Sequence, residues 1–201
     1  MVQVNKILLA VLLAAATLTG CEKLPLQRTT KYNPKPLDRR QGVDCWTYIN
    51  GNPSFSTMRE AVEICGMQDY YSEDGGYTYL LLDETAFSSY VLKSLGVQDI
   101  GDAPVDRMRD ILLFHIIKGR YDSYNGALGY DPVFVITLWK NVDAVMTVKL
   151  YNDDSKSRTT QDKVTFMDQC GSSTSFRATA SDLLMTNGPA HILSRPCVYK
   201  K

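Results

Sequence analysis

The sequence predicts an α+β domain, and three patterns predict it. Up to about residue 115, apolar side chains recur at helical spacing and the runs stop at glycines, as in Phe55, Met58, Val62 and Cys65 before Gly66. From Val133 the pattern becomes that of strands. Val133-Phe-Val-Ile-Thr-Leu138 is one apolar run, and Met146, Val148 and Leu150 alternate with Thr147, Lys149 and Tyr151. Near the C-terminus, Thr186-Asn187-Gly188 separates two apolar strands, Leu183 to Met185 and Ala190 to Leu193. Asn-Gly is a strong hairpin signal, because both residues tolerate the positive φ of a primed turn.

The chain has 201 residues, 44% of them hydrophobic, which suits one domain with a buried core plus extra segments. Lys and Arg number 22 against 22 Asp and Glu, so nothing steers the folded part toward nucleic acid. The first twenty residues read as a signal: Lys6 precedes an apolar run, Ile7 to Leu18, too short to span a bilayer as a helix. The run ends in Leu18-Thr19-Gly20-Cys21, which resembles a bacterial lipobox. That resemblance implies cleavage before Cys21 and acylation of its thiol, with a lipid anchor to the outer membrane on either its periplasmic or its outer side. The alternative is an ordinary secretory signal with a chance cysteine. Fatty-acid labelling that disappears in Cys21→Ser distinguishes the two.

Residues 21–43 are expected to be a tether. Pro25, Pro34 and Pro36 interrupt them, and Lys23, Arg28, Lys31, Lys35, Arg39 and Arg40 outnumber Glu22 and Asp38. Such a chain averages about 25 Å end to end. Its positive charge suits either an anionic membrane surface or a solvated spacer. Export leaves Cys45, Cys65, Cys170 and Cys197 in an oxidising compartment, where they allow three full pairings or stay as buried thiols.

A domain covering residues 44–201 follows. Asp44 opens a short helical pattern over residues 45–49, closed by Asn50-Gly51-Asn52-Pro53. The next helix starts with Thr57 and Glu60, spaced as a capping box. Asp69 to Gly76 reads as an acidic loop containing Tyr70 and Tyr71. Tyr77 to Phe87 reads as a strand running into a helix, with Asp83 as N-cap and Phe87, Tyr90, Val91 and Leu95 on the apolar face up to Gly96. Pro104 suits the first turn of a further helix whose apolar face is Val105, Met108, Ile111 and Leu112. Lys163 to Met167 forms the last strand before the C-terminal hairpin, beyond a polar loop from Asn152 to Asp162, and Pro189 belongs at the start of the returning strand of that hairpin.

Three separated blocks resemble fasciclin-like domains. Thr78, Ala86 and Phe87 match the Thr-Val-Phe-Ala-Pro-Thr-Asn-Glu-Ala-Phe-like strand and helix, with Leu82 and Asp83 in place of proline and threonine. Leu112-Leu-Phe-His-Ile-Ile-Lys-Gly119 resembles the family's Leu-Leu-x-Tyr-His-Val-Val-Pro-Gly segment. Asp182-Leu183, Thr186-Asn187-Gly188 and His191-Ile192-Leu193 resemble its closing segment. The resemblance covers about residues 44–199 and implies a twisted β-sandwich or wedge with short helices packed against it. It further implies an adhesion or binding module, with Phe114, His115, Asp182 and Leu183 at the positions linked to adhesion in animal relatives.

No Gly-x-Ser-x-Gly elbow, His-Glu-x-x-His pair, Walker loop or dinucleotide fingerprint occurs. We therefore expect no enzyme activity, no cofactor and no metal. His115 and His191 read as hydrogen-bonded core residues rather than as acids or ligands. Tyr121, Tyr124, Tyr130 and Trp139, spaced by Gly119, Gly126 and Gly129, suggest either a stacking platform for sugar rings or rings that cap the open end of the sheet. The expected partners are a membrane, through the anchor, and a protein or glycan ligand. An accessory glycan-binding lipoprotein of a nutrient-uptake system and a structural partner of another envelope protein are the competing readings.

Overall fold

A computed structural model describes residues 39–123, 128–129, 131–140, 145–151, 163–168 and 175–197. Asp44 accepts a hydrogen bond from the Thr47 amide at 2.9 Å and so starts helix α1 (Cys45–Gly51). Helix α2 (Ser56–Ile64) follows a 3₁₀ turn and buries Met58, Ala61 and Val62. The expected Thr57–Glu60 capping box is not formed. The Thr57 amide and hydroxyl instead donate to the carboxylate of Glu84, at 2.8 and 2.6 Å, and the Ser56 hydroxyl joins them at 2.9 Å. One distant carboxylate that takes three donors displaces a local partner that would take one. Part of the expected acidic loop is helix α3 (Gln68–Ser72), because Met67 and Tyr71, four residues apart, are both drawn into the core.

Strand β1 (Tyr77–Leu82) is buried along almost its whole length. Asp83 then caps the helical stretch α4, residues 84–95, by accepting from the Ala86 amide at 3.0 Å. The middle of α4, Phe87–Val91, is a π turn. An extra residue in that turn breaks the 3.6-residue period, so Tyr90 leaves the apolar face that sequence spacing assigned to it. It is 40% exposed and carries the Arg195 guanidinium 5.1 Å from its ring centroid. Helix α5 (Val105–Phe114) buries Met108, Ile111, Leu112 and Phe114, while Val105 in its first turn is 40% exposed.

The chain then turns into β2 (Ile116–Lys118), β3 (Val133–Ile136), β4 (Val145–Tyr151), β5 (Lys163–Asp168), β6 (Ser175–Arg177), β7 (Ala180–Met185) and β8 (Gly188–Leu193). One sheet has the order β2-β1-β8-β7, with β1 and β8 parallel and the other neighbours antiparallel. The second sheet, β3-β4-β5-β6, is antiparallel throughout. A bridge between Ile117 and Thr137 joins the two. β1 is the hub: Tyr79, Leu80, Leu81 and Leu82 are all buried, at about 1.5–3 kcal/mol of burial for each large apolar side chain. The apolar run 133–138 is not buried on both faces. β3 lies at one side of its sheet, and Phe134 and Ile136 are 67% and 55% exposed.

Residues 39–43 lie beside β7 as a short parallel strap. The Gln41 amide donates to Leu184 O at 3.0 Å, the Leu184 amide to Arg39 O at 2.9 Å, and the Thr186 amide to Val43 O at 3.0 Å. Residues 39–43 thus pack against the domain that the sequence pattern starts at Asp44.

Candidate functional site

The two motifs singled out in the sequence fall on either side of β1. The main chain of Leu80 pairs with His191 on β8, and its amide donates to His115 O at 2.9 Å on the β2 side.

At the β8 side the site is built around Asp182. A register shift between Ala180 and Leu183 bulges β7, and Asp182 takes φ +60 there, a conformation aspartate tolerates better than most residues. Its carboxylate is fully buried. The Arg39 guanidinium reaches Oδ2 at 2.6 Å, the Ser123 hydroxyl donates to Oδ2 at 2.6 Å, and the Ser123 amide donates to Oδ1 at 2.8 Å. The Asp182 amide donates to His191 Nδ1 at 3.2 Å, and His191 Nε2 lies 2.8 Å from Tyr121 O. That pattern requires the neutral Nε2–H tautomer. Burial lowers the imidazole pKa, against the upward pull of the Tyr121 bond and of the Asp182 and Asp122 charges. One cluster thus ties together three pieces of chain: the strap, the β7–β8 pair and the loop after β2.

Serine, histidine and aspartate meet here, but not as a relay. In a nucleophilic triad the carboxylate orients the imidazole and the imidazole faces the hydroxyl. Here the hydroxyl bonds the carboxylate, while the imidazole accepts from an amide and donates to a carbonyl.

At the β2 side, His115 Nδ1 lies 2.7 Å from Ile111 O and Nε2 accepts from the Cys197 amide at 2.9 Å, which fixes the neutral Nδ1–H form. Burial pushes its pKa down from 6.5 to about 4. Its neighbour Phe114 is buried edge-on against Trp139, with ring centroids 5.9 Å apart at 89°.

The turn beside the site differs from the primed turn expected. Met185 pairs with Gly188, so the loop residues are Thr186 and Asn187, and neither has positive φ. Asn187 is needed for its side chain. It accepts from the Cys45 amide at 3.0 Å and donates to Tyr71 O at 2.8 Å, Glu73 O at 3.3 Å and Tyr79 Oη at 3.1 Å. Gly188 is needed for space: a Cβ there would overlap the Tyr77 carbonyl oxygen.

Among solved structures, the chain is similar to the FAS1 domain pair of the insect cell adhesion molecule fasciclin I. The TM-score is 0.54 at 11% identity, over 78% of this chain and 51% of that one. The fold is fasciclin-like. The chain spans about half the length of that domain pair. No family model and no curated protein sequence matches it.

Within this fasciclin-like frame, Phe114, His115 and Asp182 are buried and Leu183 is half-buried. The aromatic set is divided. Trp139 is buried on Phe114, and Tyr121 is half-buried with its amide donating to Thr78 Oγ1 at 2.8 Å. Tyr124, Tyr130, Cys21 and Cys170 lie outside the described residues. Among the described residues no group of three His, Cys, Asp or Glu is placed to hold a metal, and no helix is long and apolar enough to cross a membrane. Cys45, Cys65 and Cys197 are buried, and Cys45 and Cys65 are thiols. Arg39 and Ser123 escape a sequence reading, because their partner lies about 143 and 59 residues away along the chain. The one local hint is the excess of basic residues just before Asp44.

Proposed function

We propose that this protein is a lipid-anchored binding module of the bacterial cell envelope that acts in adhesion, without catalysis. The observation that carries the reading is the fasciclin-like fold, seen in an insect cell adhesion molecule, on a chain whose first residues resemble a lipoprotein signal ending at Cys21. The wiring of Ser123, His191 and Asp182 supports a non-enzymatic role, since the hydroxyl bonds the carboxylate and the imidazole bonds a main-chain amide and carbonyl. The ligand in this reading is a protein or glycan outside the membrane that carries the anchor, and nucleic acid has no part in it. Phe114, His115 and Asp182 then act from inside, holding the surface that meets the ligand instead of touching it.

The test is retention of cells on coated surfaces. Bacteria expressing the full chain should bind matrix-protein or glycan coatings above an empty-vector control. Cys21→Ser should move the protein to the soluble fraction and remove the retention. A wild-type protein correctly held in the membrane, with no retention on either class of coating, contradicts the reading.

A further inference from the structure

The second sheet turns one face into the core and leaves apolar side chains on the other. Val135, Met146 and Val148 point inward and are at most 1% exposed, so the alternate positions of β3 and β4 make the outer face. Phe134 and Ile136 lie there, across the ladder from Thr147 and Val145, and they are the most exposed large apolar residues described. Thr147 is buried and its hydroxyl has no hydrogen-bond partner, so it brings no polar group to that surface. Val145 is half-buried.

Lysines flank this apolar strip. The antiparallel bridge between Ile117 and Thr137 sets Lys118 opposite Ile136 on one side, and Lys149 follows Thr147 by two residues on the other. Lys118 is exposed and Lys149 half-buried. The register carries the same face across β5 and β6 at Thr165, Met167, Ser175 and Arg177. None of these positions is acidic. The exposed carboxylate nearest along the chain, that of Asp131, precedes β3.

Exposed apolar side chains grouped on one face mark a surface that something covers. A sugar needs hydrogen-bond partners, and this strip offers none. A bilayer with anionic headgroups needs apolar groups that enter the headgroup–acyl boundary and cations that stay level with the phosphates. We infer that the outer face of β3 and β4 lies on an anionic lipid surface, with Phe134 and Ile136 in the boundary and Lys118 and Lys149 at the phosphates. This inference concerns the surface of the domain and holds with or without acylation at Cys21.

Flotation with vesicles tests it. The chain from residue 21 onward keeps every described residue, and Cys21→Ser removes the acyl group, so neither an anchor nor the apolar run Ile7 to Leu18 can hold it on lipid. Vesicles of roughly one part phosphatidylglycerol to two of phosphatidylcholine should carry this chain, and pure phosphatidylcholine far less of it. Lys118→Gln with Lys149→Gln should weaken partitioning onto the anionic vesicles about thirtyfold, at about 1 kcal/mol for each lysine. Phe134→Ser with Ile136→Ser should weaken it at least about tenfold, with the urea midpoint held because both side chains are exposed. Equal flotation of the unsubstituted chain and the Phe134/Ile136 variant overturns the inference. A chain that stays off both kinds of vesicle overturns it too, and loss of retention on protein or glycan coatings by that same variant would then assign the face to such a ligand.

Discussion

His115 and His191 are neutral because each ring nitrogen already has a partner that suits one tautomer and burial opposes the charge. Protonating His115 would leave two N–H groups facing Ile111 O and the Cys197 amide, and only the first accepts. The consequence for stability has a definite sign. The pKa of His115 is about 4 in the folded chain and 6.5 when unperturbed, so the unfolded chain takes up the proton first as pH falls. The contribution is complete above pH 6.5 and is lost between 6.5 and about 4, at about 1.4 kcal/mol per pH unit within that window. His191, also lowered, works in the same direction. Urea midpoints should therefore fall from pH 7 to pH 5, with the His115 imidazole resonances still in the neutral form at pH 5.5. A charged His115 in folded protein at that pH contradicts the assignment. These roles were legible from the sequence only as residue types. Thr-Asn-Gly and the two histidines stand out by local pattern, but their partners are set by tertiary distance.

β8 is the element with the least freedom, lying between β1 and β7 with Gly188 against the Tyr77 carbonyl. Gly188→Ala should cost about 3 kcal/mol or prevent folding, because the obstacle is backbone and cannot rotate away. Asn187→Ala should cost a similar amount, about 3 kcal/mol, by leaving the Cys45 amide and the Tyr71 carbonyl buried without their partner. A loss below about 0.5 kcal/mol in thermal or urea unfolding of Asn187→Ala would mean that the turn does not anchor α1 and α3. Periodicity gave the order of helices and strands because burial imposes it directly. It misplaced Tyr90, where a π turn shifts the phase, and the cap of α2, where Glu84 arrives from across the fold. The exposed Phe134 and Ile136 show the limit of an apolar run: it marks a strand without saying which faces are covered.

For the whole molecule, three blocks spread over more than a hundred residues converge on one strand, β1, and that convergence makes the fold. The sequence left open whether disulfides support it. Among the described residues, Cys45 and Cys65 are buried thiols, and burial raises the pKa of both, so they are unreactive while the domain stays closed. A maleimide should label these two only after denaturation, and a native disulfide between them would contradict this. A tether ending at Val43 follows from where apolar periodicity begins. Residues 39–43 carry none, yet they pair with β7 through backbone groups and one arginine, which periodicity does not register. Asp182, buried and bonded to Arg39 and Ser123, fastens distant parts of this chain together. A double-mutant cycle of Arg39→Ala and Asp182→Asn, followed by urea unfolding at pH 7, measures that most directly. Each single change should cost about 3 kcal/mol, with a coupling of at least about 1.5 kcal/mol between them. Additive losses, or no loss for Asp182→Asn, would contradict it.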